Sequence, residues 1–198
     1  MLKRGVTIYF IRHGETDWNA AQRYQGQTDI PLNDKGRGQA ARNGRALGET
    51  LGARIVRLDY VASPLARASE TMRIAREELG LEPDDFRRDA RLMEQNYGHW
   101  EGQLWSELPE TDPEGFRARE RDKWSWRPRG GESYAMLSER IGGWLSSVNE
   151  ECVVASHGAV SRVLRGLVSS SIEREDIALL DVPQDRVMVL SDGQISWI

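Results

Sequence analysis

Val6-Thr7-Ile8-Tyr9-Phe10-Ile11 is a run of mostly apolar, β-favouring residues that ends in Arg12-His13-Gly14. A run of this length without polar alternation reads as a strand buried on both faces, and the glycine marks its end. Leu58-Asp59-Tyr60-Val61-Ala62-Ser63 reads as a second strand. Cys152-Val153-Val154-Ala155-Ser156 reads as a third, ending at His157-Gly158. Between the strands the period changes to that of helices. Asn33 or Asp34 is a fair N-cap for a helix reaching about Leu51. Its glycines (Gly36, Gly38, Gly44, Gly48) lower its helix propensity, and their spacing predicts a thin face packed close against a sheet. Pro64, tolerated in a first turn, opens a helix to about Glu78, and Gly80 ends it. Tyr134, Leu137, Ile141, Trp144, Leu145 and Val148 recur at helical spacing in a segment from Glu132 to about Val148. Val160, Val163, Leu164 and Leu167 mark another helix after His157. Asp89-Ala90-Arg91-Leu92 reads as a short edge strand. Arg186 to Leu190 and Gln194 to Trp197 flank Asp192-Gly193, a hairpin turn signal.

Strands alternating with helices predict an α/β fold with a mainly parallel sheet and a hairpin at one edge. Parallel strands joined by right-handed crossovers end on the same rim. Arg12-His13, the turn from Ser63 to Arg67, and His157 are therefore expected along one edge of the sheet, where open α/β folds build their sites. Gln95 to Gly131 differs: Trp100, Trp105, Trp124 and Trp126 lie among prolines and charges with no long apolar period. It reads as an excursion of short helices, packed by its aromatics over the sheet end.

Composition narrows the function classes. The 198 residues suit one domain, 1–198, and 39% hydrophobic with 29% charged residues is a globular balance. A formal charge of −4 supplies no broad basic field, so neither nucleic-acid nor anionic-membrane partners are expected. Cys152 is the only cysteine, which leaves no internal disulfide and no cysteine zinc site; a buried, inert thiol is expected. The apolar run after Lys3 and Arg4 is too short for a signal core or a membrane span, so the reading is a cytoplasmic protein.

The groups gathered on the rim carry the chemistry. Arg12, Arg67 and an imidazole form a receptor for a phosphoryl group, because phosphoryl transfer is mainly positioning and charge stabilisation. A neutral histidine nitrogen could attack phosphorus if its other nitrogen had an acceptor to fix the tautomer. A carboxyl such as Glu94 could protonate the leaving oxygen and then deprotonate water. Other uses of these residues fare worse. Three histidines (His13, His99, His157) beside arginines make a poor cation site, so no metal and no cofactor is expected. Ser63 and Ser156 lack a nucleophile-elbow context, and neither a Walker loop nor G-x-G-x-x-G occurs.

Taken in order, Arg12-His13-Gly14-Glu15-Thr16 with Trp18-Asn19, Gln25-Gly26, Ser63-Pro64-Leu65-Ala66-Arg67, Leu92-Met93-Glu94 with Trp100-Glu101-Gly102, Gly130-Gly131-Glu132-Ser133 and Ser156-His157-Gly158 resemble the motifs of the histidine phosphatase (phosphoglycerate mutase-like) superfamily. The resemblance runs from residue 12 to 158. It implies a three-layer α/β/α fold and a metal-independent phosphomonoesterase acting through a phosphohistidine on a small phosphorylated metabolite. By the same resemblance His13 is the nucleophile, and Arg12, Arg67 and His157 form the phosphate pocket. Glu94 is the acid and base, and Asn19, Gln25 and Gly26 line the pocket or contact substrate. The short chain and its Trp-Glu-Gly segment resemble the phosphatase branch. A cofactor-dependent phosphoglycerate mutase and, in another class, a non-catalytic phosphate-binding module are the alternatives. The physiological substrate and the oligomeric state are not legible in the sequence.

Overall fold

A computed structural model describes residues 2–198. Six strands form one sheet: β1 (Thr7–Arg12), β2 (Asp59–Ala62), β3 (Arg87–Arg88), β4 (Cys152–Ser156), β5 (Val187–Ser191) and β6 (Gln194–Trp197). Their spatial order is β3-β2-β4-β1-β5-β6. β1 to β4 run parallel, β5 runs antiparallel to β1, and β6 runs antiparallel to β5. Seven α-helices accompany them: α1 (Asp17–Ala20), α2 (Asp34–Leu51), α3 (Ala66–Glu78), α4 (Leu108–Thr111), α5 (Pro113–Arg121), α6 (Tyr134–Ser147) and α7 (Gly158–Val168).

Side-chain alternation along the central strands builds the three layers. Ile8, Phe10 and Val154 face α6 and α7, packing on Leu137, Ile141, Leu145, Val160 and Val163. Tyr9, Ile11, Val153 and Ala155 face the opposite way, onto Leu47 and Leu51 of α2 and Met72 and Ala75 of α3. Covering both faces is why these strands read as continuous apolar runs. Each fully buried large aliphatic side chain here contributes about 1.5–3 kcal/mol.

Three expectations need correction. The edge strand is Arg87–Arg88 rather than Asp89 to Leu92. Asp89 Oδ1 accepts the Arg91 N–H, and this local cap bends Ala90–Leu92 into a 3₁₀ turn. Helix α3 starts at Ala66, so Pro64 precedes it; Leu65 is extended (φ −62°, ψ 137°). The Ala66 N–H is capped from a distance, by Asp29 Oδ1 at 2.7 Å. The thin face of α2 packs on α3 and on the Gly14-Glu15 loop, not on the sheet. A Cβ on Gly44 would lie 2.7 Å from Ala75 O, and one on Gly36 would lie 2.1 Å from Glu15 O. The hairpin turn holds: Asp192 (φ 46°) and Gly193 (φ 79°) both sit in the left-handed region that such two-residue turns require.

Pairing of Arg12 with Ser156 and of Ala62 with Ala155 aligns the carboxyl ends of β1, β2 and β4 on one rim. Backbone bonds carry the ladder one residue further: His13 N–H to Ser156 O at 2.8 Å, and Ser63 N–H to Ala155 O at 2.9 Å. Tyr24, Tyr97, Trp100 and Leu108 form a small separate core under the excursion. Glu101 fastens it to the loop after α1, accepting from Gln27 N, Thr28 N and Thr28 Oγ1 at 2.9, 3.0 and 2.6 Å. His99 belongs to this packing, with Nε2 3.0 Å from Asp112 Oδ2. Among the described residues no helix is long and apolar enough to cross a membrane.

Candidate active site

Arg12 and His13 leave the end of β1 together because the strand is central and its last pairs are made with β4. His13 is 2% exposed. Its Nδ1 lies 2.7 Å from Gly14 O. A carbonyl only accepts, so Nδ1 carries the proton and Nε2 keeps its lone pair. Burial holds the imidazole well below its usual pKa, and the Arg67 and Arg12 charges push the same way. The ring is therefore neutral, with a free Nε2 lone pair, and set among cations.

Arg67 sits in the first turn of α3 and is fully buried. Its two terminal nitrogens donate to Thr28 O (2.9 Å) and Gly26 O (2.6 Å), while Nε has no partner. Gly26 can present that carbonyl because its backbone is left-handed (φ 53°). Arg12 donates one terminal nitrogen to Val182 O, and its buried Nε is also unpartnered. Burial lowers the Arg12 pKa to about 10 against the opposing pull of Glu94, so it stays charged at neutral pH.

His157 is the residue before α7 and is fully buried, its ring centroid 5.2 Å from that of His13. Its Nε2 lies 2.7 Å from Ser63 Oγ, which already accepts the Leu65 N–H. The Ser63 proton has no other acceptor among the described residues, so it goes to Nε2. Nδ1–H of the neutral ring then remains as a buried donor without a partner. Burial, followed by Arg67, His13 and Arg12, holds this histidine well below its usual pKa.

Glu94 lies against the start of α7: Oε1 accepts from Gln95 N at 2.9 Å and from Ala159 N at 3.2 Å, and Oε2 from Ala159 N at 3.3 Å. The site thus brings together His13, Arg12, Arg67, His157 and Glu94 from four separate strand ends and loops. Three unpartnered buried donors, Arg12 Nε, Arg67 Nε and His157 Nδ1, match the needs of a tetrahedral oxyanion.

The flanking residues are set more indirectly. Asn19 Oδ1 accepts from Thr16 N (3.2 Å), Thr16 Oγ1 (3.3 Å) and Gln184 Nε2 (3.3 Å). Its oxygen is saturated, which leaves Nδ2–H as the free end. Gln25 is buried with Oε1 unpartnered. Two braces were not foreseen from the sequence. Arg140 gathers Met93 O (2.9 Å), Glu94 O (3.3 Å) and the Glu132 carboxylate (2.8 Å), which holds the backbone that carries Glu94. Gln184 Nε2 donates to His13 O at 3.0 Å as well as to Asn19. Glu132, in the Gly-Gly-Glu-Ser motif, was a signal for a basic partner; nothing near Gln184 was.

Among the described residues no group of three or more His, Cys, Asp or Glu side chains is placed to hold a metal ion. Cys152 is buried on β4, away from this rim, and burial raises its thiol pKa to about 12.

Residues 8–191 match the model of the histidine phosphatase superfamily, branch 1. A phosphoserine phosphatase of Hydrogenobacter thermophilus is 32% identical over 164 residues, which is 80% of this chain and 74% of that protein. A probable phosphoglycerate mutase of Salmonella paratyphi C is 35% identical over 161 residues, 77% and 70% of the two chains. A mycobacterial glucosyl-3-phosphoglycerate phosphatase, solved in complex with VO3, superposes with a TM-score of 0.76 at 28% identity, covering 98% of this chain and 96% of that one. With the motif order, the three layers and this rim in agreement, the chain belongs to the histidine phosphatase superfamily, branch 1.

Proposed function

We propose that this enzyme hydrolyses phosphate monoesters of small metabolites through a phosphohistidine at His13, without a metal. One observation carries the reading: a buried imidazole with its proton locked on Nδ1, kept neutral between two arginines. A neutral Nε2 attacks phosphorus in line, and Arg12, Arg67 and His157 hold the non-bridging oxygens, where charge is spread in the transition state. Glu94 gives its proton to the leaving oxygen as the P–O bond breaks and the N–P bond forms. Water then enters, loses a proton to the Glu94 carboxylate and attacks phosphorus. The N–P bond breaks, and phosphate and the protonated carboxyl are restored. Asn19, Gln25 and Gly26 border the bound group. Phosphatase-named relatives support hydrolysis.

The test is turnover of p-nitrophenyl phosphate in EDTA, by wild type and His13→Ala, with acid-quench trapping of the labelled enzyme. Turnover that survives EDTA, depends on His13 and leaves label on His13 is expected. Loss on chelation, full activity in His13→Ala, or label on His157 would overturn the assignment. Transfer of label to a second hydroxyl of 3-phosphoglycerate, with no phosphate released, would instead favour a mutase.

A further inference from the structure

Every backbone polar group from His13 N to Glu15 O has a hydrogen-bond partner. The His13 N–H donates to Ser156 O at 2.8 Å, and Glu15 O accepts from Asn33 N at 3.0 Å. Between these ends, side chains from distant parts of the chain take over. Gln184 Nε2 donates to His13 O at 3.0 Å. Thr71 Oγ1, on α3, accepts from Gly14 N at 3.1 Å and donates to Arg67 O at 2.8 Å. Gln39 Oε1, on α2, accepts from Glu15 N at 2.8 Å. Gly14 O, the remaining group, accepts from His13 Nδ1 at 2.7 Å.

These side chains act on different peptides. Gln184 and Thr71 hold the two ends of the peptide that joins His13 to Gly14. Gln39 holds the next one, whose N–H belongs to Glu15 and whose carbonyl is Gly14 O. That peptide is trans and planar, so its N–H and C=O point in opposite directions. Fixing the N–H on Gln39 therefore fixes the direction of the carbonyl that the imidazole meets. Turned over, the same peptide would aim the Glu15 N–H at His13 Nδ1. A donor there needs the lone pair on Nδ1 and moves the ring proton to Nε2, the nitrogen that the proposed reaction needs bare. The bond to Gln39 also polarises the peptide and strengthens Gly14 O as an acceptor.

The close approach at Gly36 brings Gln39 into place. Gly36 precedes Gln39 by three residues and so shares its face of α2. A Cβ on Gly36 would lie 2.1 Å from Glu15 O and 2.6 Å from Glu15 N. Only a helix pressed this closely on the loop lets a glutamine side chain cap the Glu15 N–H.

We propose that Gln39 is a positioning residue for the nucleophile: by holding the peptide between Gly14 and Glu15, it keeps the His13 proton on Nδ1 and leaves Nε2 free to attack. The effect on turnover rests on the phosphatase reading above; the effect on the proton does not.

The experiment reads the tautomer directly, by heteronuclear NMR of protein with labelled histidine nitrogens, at neutral pH and without phosphate. The chain has three histidines, and His13→Ala assigns the signals of the first. Wild type is expected to show His13 in the Nδ1–H form. Gln39→Met keeps the length of the side chain and removes the acceptor. It should turn a substantial part of His13 to the Nε2–H form, while the His157 signals, set by Ser63, stay in place. In the same variant kcat for p-nitrophenyl phosphate should fall roughly tenfold or more with KM little changed, because the lost hydrogen bond orients the nucleophile and the arginines are untouched. Gln39→Glu keeps an oxygen at the same reach and should restore the tautomer and most of kcat. Gln39→Ala, a good helix former, carries the test should Gln39→Met fail to fold. A His13 proton that stays on Nδ1 in both acceptor-less variants, a change shared by His157, full kcat despite a shifted tautomer, or no rescue by Gln39→Glu would each overturn the role of Gln39. If wild type turns over no ester, the phosphatase reading falls. The NMR signals then decide alone: a Gln39-dependent tautomer upholds the positioning role, and a Gln39-independent one refutes it.

Discussion

At the scale of single residues, the proton positions follow from which neighbours can only accept or only donate. Gly14 O forces the His13 proton onto Nδ1, and Ser63 leaves the His157 proton on Nδ1. Glu94 is the remaining mobile proton in the proposed cycle. Glu94→Gln keeps its shape and removes that proton, so kcat on an alkyl phosphate should fall by about 10²–10⁴-fold. With p-nitrophenyl phosphate the leaving group needs no proton, and only the water step suffers. Stopped-flow traces of the variant should then show a burst of nitrophenolate followed by a slow steady state. Equal losses on both esters with no burst would argue against Glu94 as the acid. The identities of His13, Arg12, Arg67, Glu94 and His157 as a set were legible in the chain, since each lies at a strand end or in an ordered motif. Arg140 and Gln184 were not, because each acts on backbone carbonyls, and a carbonyl has no residue type to search for.

At the scale of elements, close backbone approach explains why α2 tolerates poor helix formers. Gly36 and Gly14 face each other across the start of α2: a Cβ on Gly14 would lie 2.1 Å from Gly36 O. Gly14 also supplies the carbonyl that orients His13. Gly36→Ala must therefore push α2 off the catalytic loop, with an expected loss of roughly 1–3 kcal/mol in urea unfolding and reduced turnover. Gly38 has nothing within 4 Å of a Cβ. Gly38→Ala should gain about 0.5–1 kcal/mol with activity retained. Equal effects of the two substitutions would show that the contact at Gly36 is not what limits the helix position. Strand and helix locations were readable from period and caps. The α3 start was displaced because its cap comes from Asp29, far away in sequence, and the edge strand because Asp89 bonds locally.

At the scale of the whole molecule, the sheet delivers two neutral histidines from β1 and β4 into a cationic interior. Each has its pKa well below the ordinary value of 6.5, chiefly by burial. In the unfolded chain both would protonate near that value, so as pH falls below about 6.5 the unfolded state binds more protons than the folded one. Stability from these groups is complete above that pH and declines below it. Melting temperatures in phosphate-free buffer should drop between pH 7 and 5.5, and His157→Asn should flatten the decline. A wild-type curve that is level over this interval would refute the assignment.

By itself the amino-acid order determined the strands, most helices, the parallel sheet and the list of reactive groups, because burial on two faces and the spacing of caps leave a local imprint. Tertiary structure alone decided which nitrogen of each histidine is free, and that the thin face of α2 meets a loop and α3. These depend on groups brought together from distant parts of the chain, whose distances in space have no counterpart in their spacing along it.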